Sequence, residues 1–349
     1  MTKPVPPRHG DPGVSTPRRG GRTVTLDVVA RLAGVAPATV SRAINQPDMV
    51  ARKTLERVTQ AIADTGYVPN LLAGGLASSR SHLIAAIVPS INNLVYAETI
   101  QSFGNRLKAC GYQVLLGETG YGQDTEDALV TAVLSRRPDA IFLTGIHHSP
   151  QCRRQLLAAG IPVVETWDLT PSPLDLVVGF SHEKVGEAVA AFLHGRGCRR
   201  FGIVSSDDPR ALVRNKAYAR ALERHGITGV ASGLVHAVSS LELGRKGFAD
   251  LIGQGFDGGG VFCSSDTLAQ GVVTEALARG LRIPEDYAIV GFGDQNFAAH
   301  MLPALTTVKI DRAAIGEESA NALLARLQNT PLTETVVDVG FTIMPRETA

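Results

Sequence analysis

A chain of 349 residues is long enough for two or three domains, and 44% hydrophobic with 19% charged residues is the composition of an ordinary folded protein. No apolar run approaches the roughly 18 residues of a membrane span, and the Pro-, Arg- and Gly-rich start lacks the apolar stretch of a signal peptide, so we expect a cytoplasmic protein. The four cysteines form no CxxC pair and are expected to be reduced thiols.

The net charge of +1 hides an uneven distribution. Residues 1–80 contain eleven Lys or Arg and five Asp or Glu, a net charge of +6, whereas residues 81–349 carry −5. A basic end on an acidic body suggests a polyanionic partner, such as nucleic acid, for that end alone. A solvated surface without a partner is the alternative that charge leaves open.

The amino-terminal part reads as a tail followed by a small helical domain. Residues 1–22 are rich in proline and glycine, and we expect a disordered tail. Three short helical patterns follow, at residues 26–33, 37–45 and 51–65. Gly34 supplies the turn between the first two helices, Pro37 suits the first turn of the second, and Gly66 ends the third. The sequence therefore predicts a helix-turn-helix headpiece at residues 23–69.

The second helix carries a face suited to DNA. Val40 and Ile44 are four residues apart and can pack inward. The opposite face holds Ala38, Ser41, Arg42 and Asn45. Arg42 can contact guanine with two hydrogen bonds in the major groove, and its polar neighbours can bond phosphates or base edges. A solvated helical hairpin is the alternative.

From Leu83 onward, short apolar strands alternate with amphipathic stretches that end in glycine. Candidate strands lie at residues 84–88, 113–116, 140–143, 163–165, 176–178, 201–204, 260–263 and 288–292. Repeated strand–helix units predict parallel sheets wrapped by helices, and this many units fit two sheets better than one. The predicted fold class is α/β: a three-helix headpiece followed by a two-lobed core of doubly wound parallel sheets.

The headpiece resembles that of the lactose-repressor (LacI) family in residues 25–35 and 39–45, and Tyr67–Asn70 resembles the family's junction after the third helix. The resemblance continues nearly to the end of the chain. It implies that Pro37, Ala38 and Arg42 select bases, with more weight on Arg42 because the first two offer no side-chain hydrogen bond and Ala36 replaces the usual Ser or Thr cap. The implied DNA-binding residues are Thr25, Pro37, Ala38, Thr39, Ser41, Arg42, Asn45, Asn70 and Leu76.

Residues 70–81 resemble the family's hinge, which becomes helical only when a dimer is on DNA. Leu76 stands where that hinge inserts a leucine into the minor groove. Gly74 and Gly75 cost a free helix about 2 kcal/mol relative to two alanines, which favours a hinge without helix off DNA. The resemblance implies a homodimer on a pseudo-palindromic, double-stranded operator; a plain linker is the alternative for this segment.

The body resembles periplasmic sugar-binding proteins and the LacI-family core, in which two similar α/β lobes enclose a ligand cleft. We assign residues 82–180 and 310–328 to the first lobe and residues 181–309 and 329–349 to the second. Ligands of open α/β sheets sit beyond the carboxyl ends of strands. The candidate effector contacts are Ser90, Tyr96, Tyr121, His147, Glu165, Trp167, Arg214, Ser265, Asp266 and Gln295.

Three segments, residues 118–121, 178–180 and 338–342, resemble repressors of gluconate-utilisation operons most closely within the family. The resemblance implies a small sugar or sugar-acid effector, with Arg214 as partner of its carboxylate. A structural salt bridge is the alternative for Arg214, and core packing is the alternative for Trp167. Gly293 stands where the family often has an aspartate, an absence that favours an anionic ligand.

Gly253–Gly258 fits the GxGxxG pattern of dinucleotide-binding loops, but it follows a helical pattern and precedes a strand, the reverse of what such a loop needs. His147 and His148 beside Cys152 suggest a metal, yet the sequence adds no further ligand, and we expect neither metal nor cofactor. A periplasmic binding protein would lack the helix-turn-helix. The sequence thus predicts a ligand-responsive transcriptional regulator and no enzyme, a repressor rather than an activator by family analogy.

Overall fold

The computed structural model describes residues 24–68, 80–91, 94–120, 123–235 and 239–349. The chain divides into two compact units, a headpiece unit that ends at Ser79 and a core that begins at Arg80. The predicted tail and most of the predicted hinge lie outside the described residues. Within the described residues, no helix is long and apolar enough to cross a membrane.

The headpiece contains three helices, α1 (Leu26–Ala33), α2 (Pro37–Asn45) and α3 (Arg52–Thr65), with a 3₁₀ turn at Pro47–Met49. All three helices were predicted. Their shared core consists of small apolar side chains, among them the buried Val29, Val40 and Val58. Gly34 ends α1 with a φ of 64°, a left-handed conformation that glycine adopts without strain and that turns the chain into α2.

The described part of the core contains twelve strands and eight helices. The strands are β1 (Leu83–Val88), β2 (Gln113–Glu118), β3 (Ala140–Thr144), β4 (Val163–Thr166), β5 (Leu176–Gly179), β6 (Phe201–Ser206), β7 (Ala231–Val235), β8 (Gly259–Cys263), β9 (Tyr287–Phe292), β10 (Thr306–Lys309), β11 (Val336–Asp338) and β12 (Thr342–Met344). The helices are α4 (Leu94–Lys108), α5 (Gln123–Leu134), α6 (Pro150–Ala159), α7 (His182–Gly195), α8 (Pro209–Glu223), α9 (Leu241–Gly253), α10 (Asp266–Ala278) and α11 (Arg312–Leu327).

The strands form two six-stranded sheets, one for each lobe. The first sheet has the order β11-β5-β4-β3-β1-β2 and the second has the order β12-β10-β9-β8-β6-β7. Strand pairs are parallel in both sheets except for β12, which runs antiparallel to β10. Strands β4, β5, β6 and β9 are buried along their whole length, as expected for parallel sheets covered by helices on both faces.

Two predicted boundaries need correction. Residues 329–349 were assigned to the second lobe, but Val336–Asp338 pairs with β5, so this segment gives one strand to each sheet. The predicted hinge ran to residue 81, but Ser81 belongs to the core: its backbone N–H and hydroxyl donate to Asp139 Oδ1 at 2.7 and 2.9 Å. A buried carboxylate thus fixes the chain just before β1.

Two glycines bring the backbone close together around the edge of the cleft between the lobes. A β-carbon at Gly186 on α7 would lie 2.2 Å from the carbonyl oxygen of Arg214, so α7 can press against α8 only without a side chain there. A β-carbon at Gly179, at the end of β5, would lie 2.2 Å from the carbonyl oxygen of Asp168. The first contact fixes the backbone of Arg214, a predicted site residue, and the second fixes the backbone of Asp168, which follows the predicted Trp167.

Candidate DNA-reading face and effector cleft

Helix α2 presents the face predicted to read DNA. Val40 and Ala43 are buried against the headpiece core, and Ile44 is half-buried. Five of the predicted DNA contacts are exposed, namely Thr25, Pro37, Ala38, Arg42 and Asn45. Thr39 and Ser41 are half-buried. Asn70 and Leu76 lie outside the described residues. The pattern of exposure therefore agrees with an outward-facing recognition helix.

Arg42 is the one charged residue of α2 and is exposed. Asn45 is already engaged within the helix, because its Nδ2 donates to the carbonyl oxygen of Ser41 at 2.9 Å. Ala36 has the extended backbone of an N-cap but makes no side-chain cap bond. The described headpiece residues include five basic and four acidic side chains, so the basic excess of the amino-terminal part falls mainly on residues outside the described range.

Arg214 is the central cation of the core. It lies on α8, is 3% exposed, and its guanidinium stacks 3.9 Å above the ring of Phe292. Nη1 contacts His182 Nδ1 at 2.9 Å and Nη2 donates to the carbonyl oxygen of Ser264 at 3.2 Å, while Nε has no hydrogen-bond partner among the described residues. Burial lowers the pKa of Arg214 to about 10, so the guanidinium remains charged at neutral pH. Its hydrogen-bond partners among the described residues include no carboxylate.

His182 links this arginine to the opposite lobe. Because the guanidinium of Arg214 can only donate, Nδ1 of His182 must accept, and the ring proton therefore sits on Nε2. Nε2 donates to the carbonyl oxygen of Trp167 at 2.8 Å. Burial, followed by the nearby charge of Arg214, holds the pKa of His182 well below its usual value, so the imidazole is neutral. The chain Arg214–His182–Trp167 joins α8 and α7 of the second lobe to the end of β4 in the first.

Trp167 and Tyr96 form an aromatic wall beside this chain. Their rings meet edge to face with centroids 5.1 Å apart, and Trp167 packs against Phe180 in the same manner at 6.1 Å. Trp167 is 3% exposed, and its buried indole Nε1 has no hydrogen-bond partner within the described part of the chain. Arg210 of the second lobe donates to the hydroxyl of Tyr96 at 2.7 Å. The aromatic wall thus lies beside two hydrogen-bond donors, the indole of Trp167 and the guanidinium of Arg210.

Sequence reasoning missed four members of this cluster: Asp168, His182, Arg210 and Phe292. Asp168 follows Trp167 directly, and burial raises its pKa, although a hydrogen bond from the Leu169 N–H and the charge of Arg210 oppose the rise. Arg210 is one helical turn before Arg214, a spacing that places both on one helix face and was available as a signal. Phe292 is the last residue of β9, and His182 begins α7 three residues after β5 ends, so both lie near the strand ends where ligand contacts were sought.

The structure directs other predicted effector contacts elsewhere. Asp266 is fully buried and accepts from Thr307 Oγ1 at 2.5 Å and from the backbone N–H of Gln295 at 2.7 Å. The Ser265 hydroxyl caps α10 by accepting from Leu268 N. These bonds tie the loop after β9 to the start of α10, so both side chains have a structural role there.

Four further predicted contacts have other positions. Gln295 lines a separate cavity of about 550 Å³ beside α4 and Arg312. Ser90 is buried just after β1, and His147 is exposed after β3. Glu165 is fully buried inside the first lobe, where Oε2 accepts from the backbone N–H of Leu174 at 2.7 Å. Tyr121 lies outside the described residues.

The headpiece and the core both have counterparts among known proteins. The profile of the bacterial regulatory proteins of the lacI family matches residues 25–70, and the periplasmic binding protein-like domain matches residues 190–349. The HTH-type transcriptional regulator GntR of Pseudomonas aeruginosa is 37% identical over 326 residues, which cover 93% of this chain and 95% of that protein. The HTH-type transcriptional regulator IdnR of Escherichia coli is 31% identical over 322 residues, covering 92% and 97%.

A comparison with solved structures agrees with these sequence matches. The crystal structure of a LacI-family transcriptional regulator from Silicibacter pomeroyi superposes with a TM-score of 0.88 at 31% identity and covers 93% of this chain and 99% of that one. A helix-turn-helix headpiece and a two-sheet core over nearly the whole length are shared with proteins that regulate transcription rather than catalyse reactions. The chain therefore belongs to the LacI family of bacterial DNA-binding transcriptional regulators.

Proposed function

We propose that this protein is a cytoplasmic repressor of a sugar-acid utilisation operon, which binds a pseudo-palindromic operator as a homodimer and is controlled by a gluconate-like effector held between its lobes. Relatives named GntR and IdnR support regulation of this general kind. The proposal of an acidic effector rests on the cleft itself.

The observation that carries the proposal is the buried, carboxylate-free guanidinium of Arg214. A buried cation is costly unless a counter-charge accompanies it, and the nearest carboxylates, those of Asp208 and Asp168, influence the pKa of Arg214 through space without bonding to it. A ligand carboxylate would supply both the counter-charge and an acceptor for the unpartnered Nε. A neutral sugar would supply only the acceptor.

The hydroxyl groups of the same ligand find suitable partners nearby. The indole Nε1 of Trp167 can donate, and the buried Oδ1 of Asn215, next to Arg214 on α8, is an acceptor without a partner in the described residues. Asp168 adds a carboxylate whose acceptor oxygens suit sugar hydroxyls. We therefore propose Arg214, Trp167, Asp168 and Asn215 as effector contacts, with Tyr96 completing the apolar wall.

The DNA half of the proposal rests on α2. Arg42 would read a guanine, while Thr25, Thr39 and Ser41 would bond phosphates. Pro37 and Ala38 would make only van der Waals contacts with bases. Asn45 would have to break its hydrogen bond to the Ser41 carbonyl before it could bond a base edge. Asn70 and Leu76 remain proposed minor-groove contacts.

Thermal unfolding with matched ligands tests the proposal. Gluconate should raise the Tm of the full chain in a concentration-dependent way, because a ligand that binds only the folded state stabilises it by mass action, whereas glucose should not. Arg214→Met keeps an unbranched apolar side chain at this position but removes the guanidinium that stacks on Phe292, and it should abolish the response to gluconate. Arg220→Met, an exposed position on the same helix, is the control and should respond like the unmodified protein. Equal responses to acid and sugar, or a response that survives Arg214→Met, would overturn the acidic-effector assignment.

A further inference from the structure

A second polar cluster lies inside the first lobe. Glu126 on α5, His148 after β3 and Cys152 on α6 bring a carboxylate oxygen, an imidazole nitrogen and a thiol sulfur within 4.8 Å of one another. The side chain of His148 is 1% exposed, Cys152 is fully buried, and the side chain of Glu126 is 13% exposed. None of the three belongs to the cluster around Arg214.

The histidine of this cluster is incompletely satisfied. Its Nδ1 lies 2.8 Å from Glu126 Oε1. Its Nε2 faces Glu165 Oε1 at 3.4 Å, and both of these buried atoms lack a hydrogen-bond partner in the part of the chain that the structure describes. Because Glu165 Oε2 is fixed by Leu174 N–H, Oε1 stays directed at the imidazole. The imidazole thus has one short and one long contact to a carboxylate, and the sulfur of Cys152 lies beside it as a further potential ligand.

We propose that Glu126, His148 and Cys152 bind one divalent transition metal of the zinc class, with the outer nitrogen of His148 donating to Glu165. One nitrogen, one sulfur and one oxygen are the donor set that zinc accepts in proteins, and three protein ligands leave a fourth position for water. Metal on Nδ1 would fix the proton on Nε2 and point it at Glu165. Metal-binding histidines are commonly oriented by a carboxylate in this way.

Spectroscopic titration with cobalt tests the site directly. The untagged full chain, stripped with a chelator and then titrated with Co²⁺, should develop a thiolate-to-cobalt charge-transfer band and the visible bands of four-coordinate cobalt, saturating at one ion per chain. Zn²⁺ should displace the cobalt. Cys152→Ser should remove the charge-transfer band, and Cys198→Ser, at a half-buried cysteine of the second lobe, should retain it.

Two conservative variants test the roles of Glu126 and Glu165 separately. Glu126→Gln, at the least buried ligand, should weaken cobalt binding even if Cys152→Ser fails to fold. Glu165→Gln can still accept from Leu174 N–H and should keep the band while lowering affinity by about 10- to 100-fold. A folded protein that yields no cobalt–thiolate band, or a band that survives Cys152→Ser, would overturn the proposal and leave the effector assignment untouched.

Discussion

At the scale of single residues, sequence position identified the carboxyl edge of a strand but not the direction of the side chain. Among the predicted effector contacts, Arg214 and Trp167 are linked through His182, whereas Glu165 and Asp266 accept hydrogen bonds from residues of their own lobes. Side chains alternate along a strand, so a one-residue difference decides which face a residue occupies. Glu126 and His148 are 22 residues apart and meet because α5 packs against α6, which begins two residues after His148.

Asp266 provides a pH-dependent test at this scale. Burial raises its pKa from 3.8 to about 6 despite the opposing bonds from Thr307 and Gln295. A raised carboxyl pKa means that the folded state binds a proton that the unfolded chain releases, so this residue adds stability as the pH falls from above 6 toward 4. The unfolding free energy of the unmodified protein, measured relative to Asp266→Asn in urea, should therefore rise by up to about 3 kcal/mol over that interval.

Asp286→Asn is the matched control, with an effect of opposite sign. Hydrogen bonds from Arg282 lower the pKa of Asp286, so the stability it contributes is present above the pKa of the unfolded chain and is lost on acidification. The difference between the unmodified protein and Asp286→Asn should shrink as the pH falls. A pH-independent difference for Asp266→Asn would show that this carboxyl titrates alike in both states.

At the scale of elements, helix capping divides the chain into two classes. Six core helices begin at a residue whose side chain accepts from the first turn: Ser149, Ser181, Asp208, Ser240, Ser265 and Asp311. The three headpiece helices begin at Thr25, Ala36 and Ala51, and none has a side-chain cap bond. Each missing cap forgoes about 1 kcal/mol, so the headpiece helices rely on their small apolar core.

Ala36→Ser should restore one of these caps. Ala36 has φ −70° and ψ 149°, the extended conformation from which a serine oxygen reaches the N–H groups two or three positions on. The substitution should raise the opening free energy of α2 by about 0.5–2 kcal/mol, visible as slower amide hydrogen exchange there in the full chain. Ala38→Ser, exposed on the same helix, is the control and should not slow exchange. Equal exchange in Ala36→Ser and the unmodified protein would refute the capping argument.

Strand prediction succeeded for mainly apolar segments and failed for four segments that contain glycine or polar residues. Eight strands and the three headpiece helices were predicted from periodicity and end signals. Four strands were missed, β7, β10, β11 and β12. Strand β7 contains a glycine and is partly exposed, β10 is Thr-Thr-Val-Lys, and the last two have three residues each. Such segments become strands because a preformed sheet edge pairs with them, a cause that local sequence does not display.

At the scale of the whole molecule, the repeated strand–helix units predicted two doubly wound lobes, and the two sheets confirm that architecture. The distribution of the last segment between lobes was not predictable, because Val336 pairs with Val177 across more than half the core. Contacts between the lobes were equally hidden: Arg210 bonds Tyr96, and Arg312 bonds the carbonyl oxygen of Gly293. Both bonds join residues that are more than 15 positions apart in the sequence, and local periodicity does not indicate them.

The last prediction concerns how the cleft communicates with the operator. Residues 69–79 join the headpiece to Arg80, which begins the core. In the proposed dimer, a change in lobe angle would therefore alter the spacing of the two proposed hinges. Coupling of about 1–3 kcal/mol would change operator affinity some five- to 150-fold. Arg214→Met should therefore bind operator as tightly as the unmodified protein without effector but fail to respond to gluconate.

Leu76→Ala should have the complementary defect in the same fluorescence-anisotropy titrations of operator. Loss of the proposed wedge would weaken operator binding, whereas gluconate affinity measured without DNA would stay unchanged, because the cleft residues are all in the core. If Leu76→Ala leaves operator affinity intact, the hinge has no wedge role. If Arg214→Met also loses operator binding in the absence of effector, Arg214 supports the DNA-binding conformation itself, and the two functions are not separable at this residue.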